Sequence, residues 1–203
     1  MESPSADPDD RRRGSYAKGV ERRQEILDRA IEVFAERGAE GTSLRAIGEA
    51  IGISHAALRH YFDSREQLLV AVYRAAEERT HREDPNPPGT TAVGSMTNAA
   101  RRNHAVPGLV QLYTTLVASA LERGHDDARE FATARFARVR AGLVAQIERE
   151  QAAGRMRDDV DVASVASLVI AASDGLQVQW LLDPDVDPAP SLELLERLLG
   201  VER

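Results

Sequence analysis

There is no cysteine in this chain, which excludes disulfides, thiolate zinc sites and thiol redox sensing and fits a reducing, cytoplasmic setting. Aromatic residues make up only 4%, so a ligand held here is expected to be aliphatic or mixed rather than a large flat aromatic. No apolar run approaches the ~20 residues needed to cross a bilayer, and the polar, acidic start does not read as a signal peptide. No membrane partner is expected. A Gly-rich phosphate loop, a nucleophile elbow and paired carboxylates at a catalytic spacing are also missing, and nothing supports an enzyme. His55 and His60 lie five apart and cannot share one helical face, and His81, His104 and His125 are scattered. No metal site and no cofactor is expected.

What is present is the composition of a folded protein: 42% apolar residues and nine prolines in 203 residues. That length suits a small module plus a larger core-bearing domain. The net charge is −7, which on its face disfavours a nucleic-acid partner, but it is unevenly spread. Residues 1–10 carry −4, residues 11–65 carry +3 and residues 66–203 carry −6. Positive charge is concentrated where phosphate attraction would use it.

That basic region contains Thr42 to Arg65, TSLRAIGEAIGISHAALRHYFDSR. Thr42 or Ser43 can cap a short helix whose Leu44, Ile47 and Ile51 recur at three- and four-residue spacing. Gly52 tolerates left-handed φ, and Ile53 is expected to drop between two helices. Ser54 caps the second helix, with Ala57, Leu58 and Tyr61 near one face and His55, Ala56, Arg59 and His60 covering the rest. Two helices across a Gly-containing turn form a helix-turn-helix, whose second helix enters the major groove of DNA. Similar pairs also occur in helical proteins that never touch DNA. A preceding helix, Gly19 to Arg37, has an apolar stripe of Ile26, Ala30, Val33 and Phe34. A following one, Arg65 to about His81, is capped by Ser64 and buries Leu68, Leu69, Val72 and Tyr73.

The run RRQEILDRAIEVFAERGAEGTSLRAIGEAIGISHAALRHYFDSREQLLVAVY resembles the DNA-binding domain of TetR-family transcriptional regulators. Its FAERG, GTSLRAI and YF-x-S-R-E-x-L segments stand at the family's spacings. The resemblance covers about the first third of the chain. It implies DNA contacts from Ser43 and Arg45 at the start of the first helix of the motif. It further implies major-groove contacts from Ser54, His55, Ala56, Arg59, His60 and Tyr61, and phosphate clamping by Tyr61, Ser64 and Arg65. The residue types suit this: Arg45 and Arg59 can fork onto guanine, and Ala56 can touch a thymine methyl. His55-Ala56 stands where the family often has Lys-Gly, and Arg59 where it often has an aromatic, so base preference does not transfer.

The fold class expected is all-α. An N-terminal three-helix helix-turn-helix domain (19–64) follows a disordered acidic and basic tail (1–18), in which Arg11-Arg12-Arg13 could track phosphates. A C-terminal helical ligand-binding and dimerisation domain (65–203) starts with the connector helix 65–81. The segment from about 83 to 95, with three prolines and two glycines, reads as a mobile linker, and a short helix can follow at Met96–His104. Pro107 is placed to begin the next helix, which reaches Gly124; Asp126 or Asp127 can cap a long one ending at Gly154. Asp161 caps VASVASLVIAASDGLQVQWLL, apolar on more than one face and therefore in need of more than one neighbour. Ser191 caps a last helix too short to stand alone. These two elements read as half of an intersubunit four-helix bundle, with Val165, Leu168, Val169, Ala172, Leu176, Leu192, Leu195 and Leu199 as its interface.

The resemblance implies a homodimer on a palindromic double-stranded DNA operator, released by a small-molecule effector held among the middle helices. Pocket candidates are Tyr113, Leu116, Phe131, Arg135, Phe136, Asp174, Gln177 and Trp180, each of which could equally be core. The reading is a ligand-responsive regulator, a repressor in its simplest form. The alternative is a helical interaction protein that binds another regulator without a small-molecule ligand.

Overall fold

Helices account for all the regular structure in the computed structural model, which describes residues 8–37, 44–106 and 108–201. In chain order they are α1 (Pro8–Arg37), α2 (Leu44–Ile51), α3 (His55–Tyr61), α4 (Arg65–Glu83), α5 (Ala92–Ala105), α6 (Leu109–Ser119), α7 (Asp126–Ala152), α8 (Val162–Leu182) and α9 (Pro188–Leu199). The expected all-α class holds.

Helix α1 starts at Pro8, well before Gly19, so residues 8–18 are helical where a disordered tail was expected. A helix already nucleated adds one hydrogen bond per residue it extends, and proline at its first position gives up only an N–H that would have no partner anyway. Residues 1–7 lie outside those described.

The reading module packs on a three- and four-residue stripe: Ile26, Ala30 and Val33 with Leu27 and Ile31 from α1, Ile47 and Ile51 from α2, Leu58 from α3. This core does not close at the end of the module. Through Leu68, Leu69, Val72 and Tyr73 of α4 it runs on into Leu109, Leu112, Tyr113 and Leu116 of α6 and Phe131 of α7. Helix α4 thus belongs to both domains. A second core at the far end joins Ala92 and Val93 of α5, Leu143 and Ile147 of α7, Val165, Val169 and Ile170 of α8, and Leu192 and Leu199 of α9.

The proline-rich segment after α4 is held in place, contrary to the mobile linker expected. Helix α5 begins at Ala92 rather than Met96, with Ala92 and Val93 fully buried. Thr91 caps it by accepting from the Gly94 N–H and donates its own hydroxyl to Glu196, Gln146 donates to the Thr90 carbonyl, and the Ala92 N–H donates to Glu150 at 2.7 Å. These anchors come from α7 and α9, more than fifty residues downstream. Other boundaries moved for local reasons. Helix α6 starts after Gly108 (φ 74°), residue 107 being outside those described, and stops at Ser119. Helix α9 starts at Pro188 behind an Asp187 cap, three residues before Ser191. The Asp161 cap of α8 is as expected.

Glu150 is 4% exposed, and burial raises the pKa of its carboxyl, with the Ala92 N–H pulling the other way. The folded state therefore holds this proton more tightly than the unfolded chain. The cost of its charge is absent below the unfolded pKa and complete above the folded one. Glu150→Ala should lower stability by about 1–3 kcal/mol through the orphaned N–H. Glu150→Gln keeps an acceptor without the charge. In thermal melts at neutral pH it should match or exceed the wild-type chain, with any advantage shrinking on acidification.

Candidate DNA-reading head and effector domain

The turn between α2 and α3 closes through Ile53 N–H to the Gly48 carbonyl at 2.8 Å, with Gly52 at φ 71° and Ile53 7% exposed. Arg29 of α1 donates to the last carbonyl of α2 at 3.0 Å. Ser54 caps α3 by accepting from the Ala57 N–H at 3.1 Å. Leu58 is fully buried beneath the helix, leaving His55, Ala56, Arg59 and His60 exposed on its outer side and Ala57 and Tyr61 half-buried at its edges. The His60 and Tyr61 rings stand nearly perpendicular, with their centres 5.1 Å apart.

The other expected DNA contacts are differently placed. Arg45 is exposed and bonded to Glu49 at 2.9 Å, a solvent-screened surface pair that is readily exchanged. Ser43 is outside the described residues. Arg65 is exposed in the first turn of α4. Ser64 is already engaged twice: its hydroxyl oxygen accepts from the Gln67 N–H at 2.9 Å and its proton goes to Asp127 Oδ2 at 2.9 Å.

That second bond belongs to a junction that the sequence reading missed. Glu66 Oε2 accepts from the Ala128 N–H at 3.1 Å and Glu66 Oε1 meets His125 Nδ1 at 2.7 Å. Helix α7 therefore takes its N-terminal acceptor from α4; His125 at its N-cap makes no side-chain capping bond, and neither expected cap, Asp126 or Asp127, occupies that position. An acidic residue in the first turn of α4, behind a serine cap, was visible in the sequence, but its partner was 62 residues away.

In the effector domain, Tyr113 of α6, Arg135 of α7 and Asp174 of α8 meet. The Tyr113 hydroxyl donates to Asp174 Oδ2 at 3.0 Å and accepts from Arg135 Nη1 at 3.2 Å, while the guanidinium lies 4.3 Å from the Tyr113 ring centre. Phe131 joins through Tyr73, which lies edge-on to it and is stacked with Tyr113, both at 5.4 Å. Glu77 of α4 completes the group, paired with Arg135 at 3.3 Å and Arg138 at 2.7 Å. Tyr73, Glu77 and Arg138 were not among the sequence candidates. Burial pushes the pKa of the Tyr73 hydroxyl up to about 12 and also raises those of the Tyr113 hydroxyl and the Asp174 carboxyl. Burial opposes the charge on Arg135, but Tyr73, Tyr113, Glu77 and Asp174 outweigh it and the pKa is raised. Leu116 is core, and Phe136 lies partly buried between the two cores. Gln177 and Trp180 sit apart from this group, Gln177 accepting from Asn103 at 3.5 Å and Trp180 stacked on His104 at 3.9 Å.

The candidate interface residues also divide. Val165, Val169, Leu192 and Leu199 are buried in the chain's own core, and Ala172, Leu176 and Leu195 are partly so. Only Leu168 is exposed, at 61%. The apolar residues left open on α8 and α9 are Leu168, Val178, Leu182, Leu194 and Leu198. Helix α8 is the one described helix long and apolar enough for a bilayer, yet its other face is packed against α5, α7 and α9.

Comparison with known proteins agrees with this geometry. The family model "Bacterial regulatory proteins, tetR family" matches residues 26–72, and "BetI-type transcriptional repressor, C-terminal" matches residues 107–201. An HTH-type transcriptional repressor of Mycobacterium tuberculosis is 30% identical over 160 residues, covering 76% of this chain and 80% of that protein. The HTH-type transcriptional repressor AcnR of Corynebacterium diphtheriae is 28% identical over 89% of this chain and 88% of its own. A transcriptional regulator from Saccharomonospora viridis, solved in complex with choline, shares the fold with a TM-score of 0.67 at 22% identity, covering 91% of this chain and all of that one. With a helix-turn-helix held on a core shared with the C-terminal helices, and relatives matched along nearly the whole length, the chain belongs to the TetR family of bacterial transcriptional regulators.

Proposed function

We propose that this chain is a repressor that binds a palindromic operator as a homodimer and is released by a small-molecule effector. The observation that carries the reading is the outer side of α3: His55, Ala56, Arg59 and His60 project from a helix fixed by a cap, a buried leucine and a glycine turn. One such helix reads one half-site. Two, spaced about 34–36 Å apart by a symmetric dimer, read a palindrome. The exposed leucines of α8 and α9 supply the face for that pairing, shifted around α8 from the one expected.

Release runs through α4. This helix spans 19 residues, about 28 Å, and carries the Ser64 cap beside the reading head and, further along, Glu77 in the effector domain. Its start is pinned to α7 by Ser64 and Glu66, and its middle by Glu77. An effector that favours one arrangement of α4 against α7 changes the separation of the two α3 helices, to the extent that its affinities for the two states differ. A regulator of the same fold was solved in complex with choline, which supports a small-molecule effector without assigning its identity.

Selection of bound sequences from a random DNA pool, followed by gel shift, tests the reading. A palindromic consensus with salt-sensitive binding is expected; recovery of no sequence would favour the interaction-protein alternative. On that consensus Arg59→Ala should cost about 1–3 kcal/mol and relax preference at one position in each half-site. Equal weakening on random DNA would make Arg59 a phosphate contact instead.

A further inference from the structure

In the effector domain the chain supplies its own cation to its aromatic cluster. The Arg135 guanidinium lies 4.3 Å from the Tyr113 ring centre and 5.7 Å from that of Tyr73, the position over an aromatic face that a quaternary ammonium ligand would need. Its side chain is only 10% exposed and bonded to the Tyr113 hydroxyl and to Glu77. A ligand cation would have to displace it and leave that bonding unmade.

The unused polar atoms of the cluster point the other way. The Tyr73 hydroxyl and Arg135 Nε–H are both buried without a hydrogen bond of good geometry, and the guanidinium lies near enough to that hydroxyl to act on it. Both can donate, and Nε can do nothing else. Tyr73 lines neither adjoining cleft and Arg135 lines both, so the acceptor a carboxylate would bring serves the guanidinium, whereas a tetraalkylammonium offers no acceptor at all.

Charge at the adjoining clefts agrees. Glu77, Glu78, Arg135 and Arg138 line two of them, of about 370 and 420 Å³, one on the α5 side and one on the Phe131 side. Glu77 alone answers both Arg135 and Arg138. A third arginine, Arg102, enters the first cleft, donating to the Asp84 carbonyl and to Asn86 Oδ1, each at 3.0 Å, with the Asp84 charge close by. Glu77 thus stands where an incoming anion would bind, as an internal occupant.

We propose that the cleft between α4, α5 and α7 is the effector site and takes a small carboxylate, which replaces Glu77 on Arg135 and Arg138. This deepens the effector-responsive reading and rests on it. Replacement frees the middle of α4 from α7 while Ser64 and Glu66 still hold its start, so the helix can pivot about the junction nearest the reading head.

The test titrates the full-length protein with butyrate, succinate and glutarate, and with choline chloride at matched ionic strength, by calorimetry and thermal shift. At least one carboxylate should bind and raise the melting temperature, and choline should do neither. Arg138→Ala, at a position 63% exposed in its side chain, should weaken the carboxylate about tenfold or more without unfolding the chain. Glu77→Gln should tighten it, because the internal competitor loses its charge. Choline binding to the wild-type chain, weaker carboxylate binding by Glu77→Gln, or no carboxylate binding to either protein would each overturn the proposal. The two readings fail separately. A selected operator with no carboxylate binding sinks the effector class and spares the repressor; carboxylate binding without an operator does the reverse.

Discussion

Gly48→Ala is expected to abolish specific operator binding while the C-terminal domain stays folded. Glycine inside a helix ordinarily costs about 1 kcal/mol against alanine, so on propensity alone the exchange should stabilise α2. Position 48 reverses the sign. A Cβ there would stand 2.5 Å from the Ile53 carbonyl oxygen and 3.1 Å from Leu58 Cδ1. The leucine can turn aside, but the carbonyl cannot, because the Ile53 N–H is bound to Gly48 O at 2.8 Å and the two residues close the turn together. Relief requires α2 and α3 to separate, which tilts the outer side of α3. Overpacking of this kind costs about 1–3 kcal/mol, enough to lose the reading geometry without unfolding the chain. Gly142→Ala is the control: in mid-α7 its Cβ meets nothing within 4 Å, and a gain of up to about 1 kcal/mol is expected. Retention of wild-type operator affinity by Gly48→Ala would overturn this account of the turn.

The double substitution Leu168→Glu with Leu198→Glu should convert the protein to monomer and weaken operator binding by about 10²–10⁴-fold, the range by which linked sites exceed single ones. Both leucines are more than 60% exposed in the single chain, so neither change disturbs its core. Leu168, Val178 and Leu182 are separated by ten and four residues, which keeps them on one side of α8, with the small Ala171 and Gly175 exposed between them. Leu194 and Leu198 extend the patch onto α9, which packs against α8. Large apolar side chains left exposed on two helices packed together are what a dimer face would bury. Sedimentation velocity should show dimer for the wild-type chain and monomer for the variant, with matching helical circular dichroism. A variant that remains dimeric would move the interface off this face.

The features legible in the residues are those whose cause lies within a turn or two of chain. Gly52 in the left-handed region, Ile53 in the groove, the Ser54, Ser64 and Asp161 caps and the buried Leu58 were all readable, because each depends on a neighbour within about five residues. So was the outward set His55, Ala56, Arg59 and His60, which follows from helical period once Leu58 points inward. The family's spacing and the all-α class rest on the same local regularities.

Packing decided the rest. Helix α8 is apolar around most of its circumference, so period could not say which leucines face α5, α7 and α9 and which stay open; the neighbours chose Val165 and Val169 for the core and left Leu168 and Leu182 outside. The Pro-rich segment before α5 read as loose because its anchors, Glu150 and Glu196, are remote in sequence. Nothing local marks a partner for Glu66 or Glu77 in the sequence; their partners come only when α7 lies against α4, bringing Ala128 to one and Arg135 with Arg138 to the other. Local chemistry set how the helix-turn-helix is built; contacts across sixty residues of chain set how it is tied to the C-terminal domain.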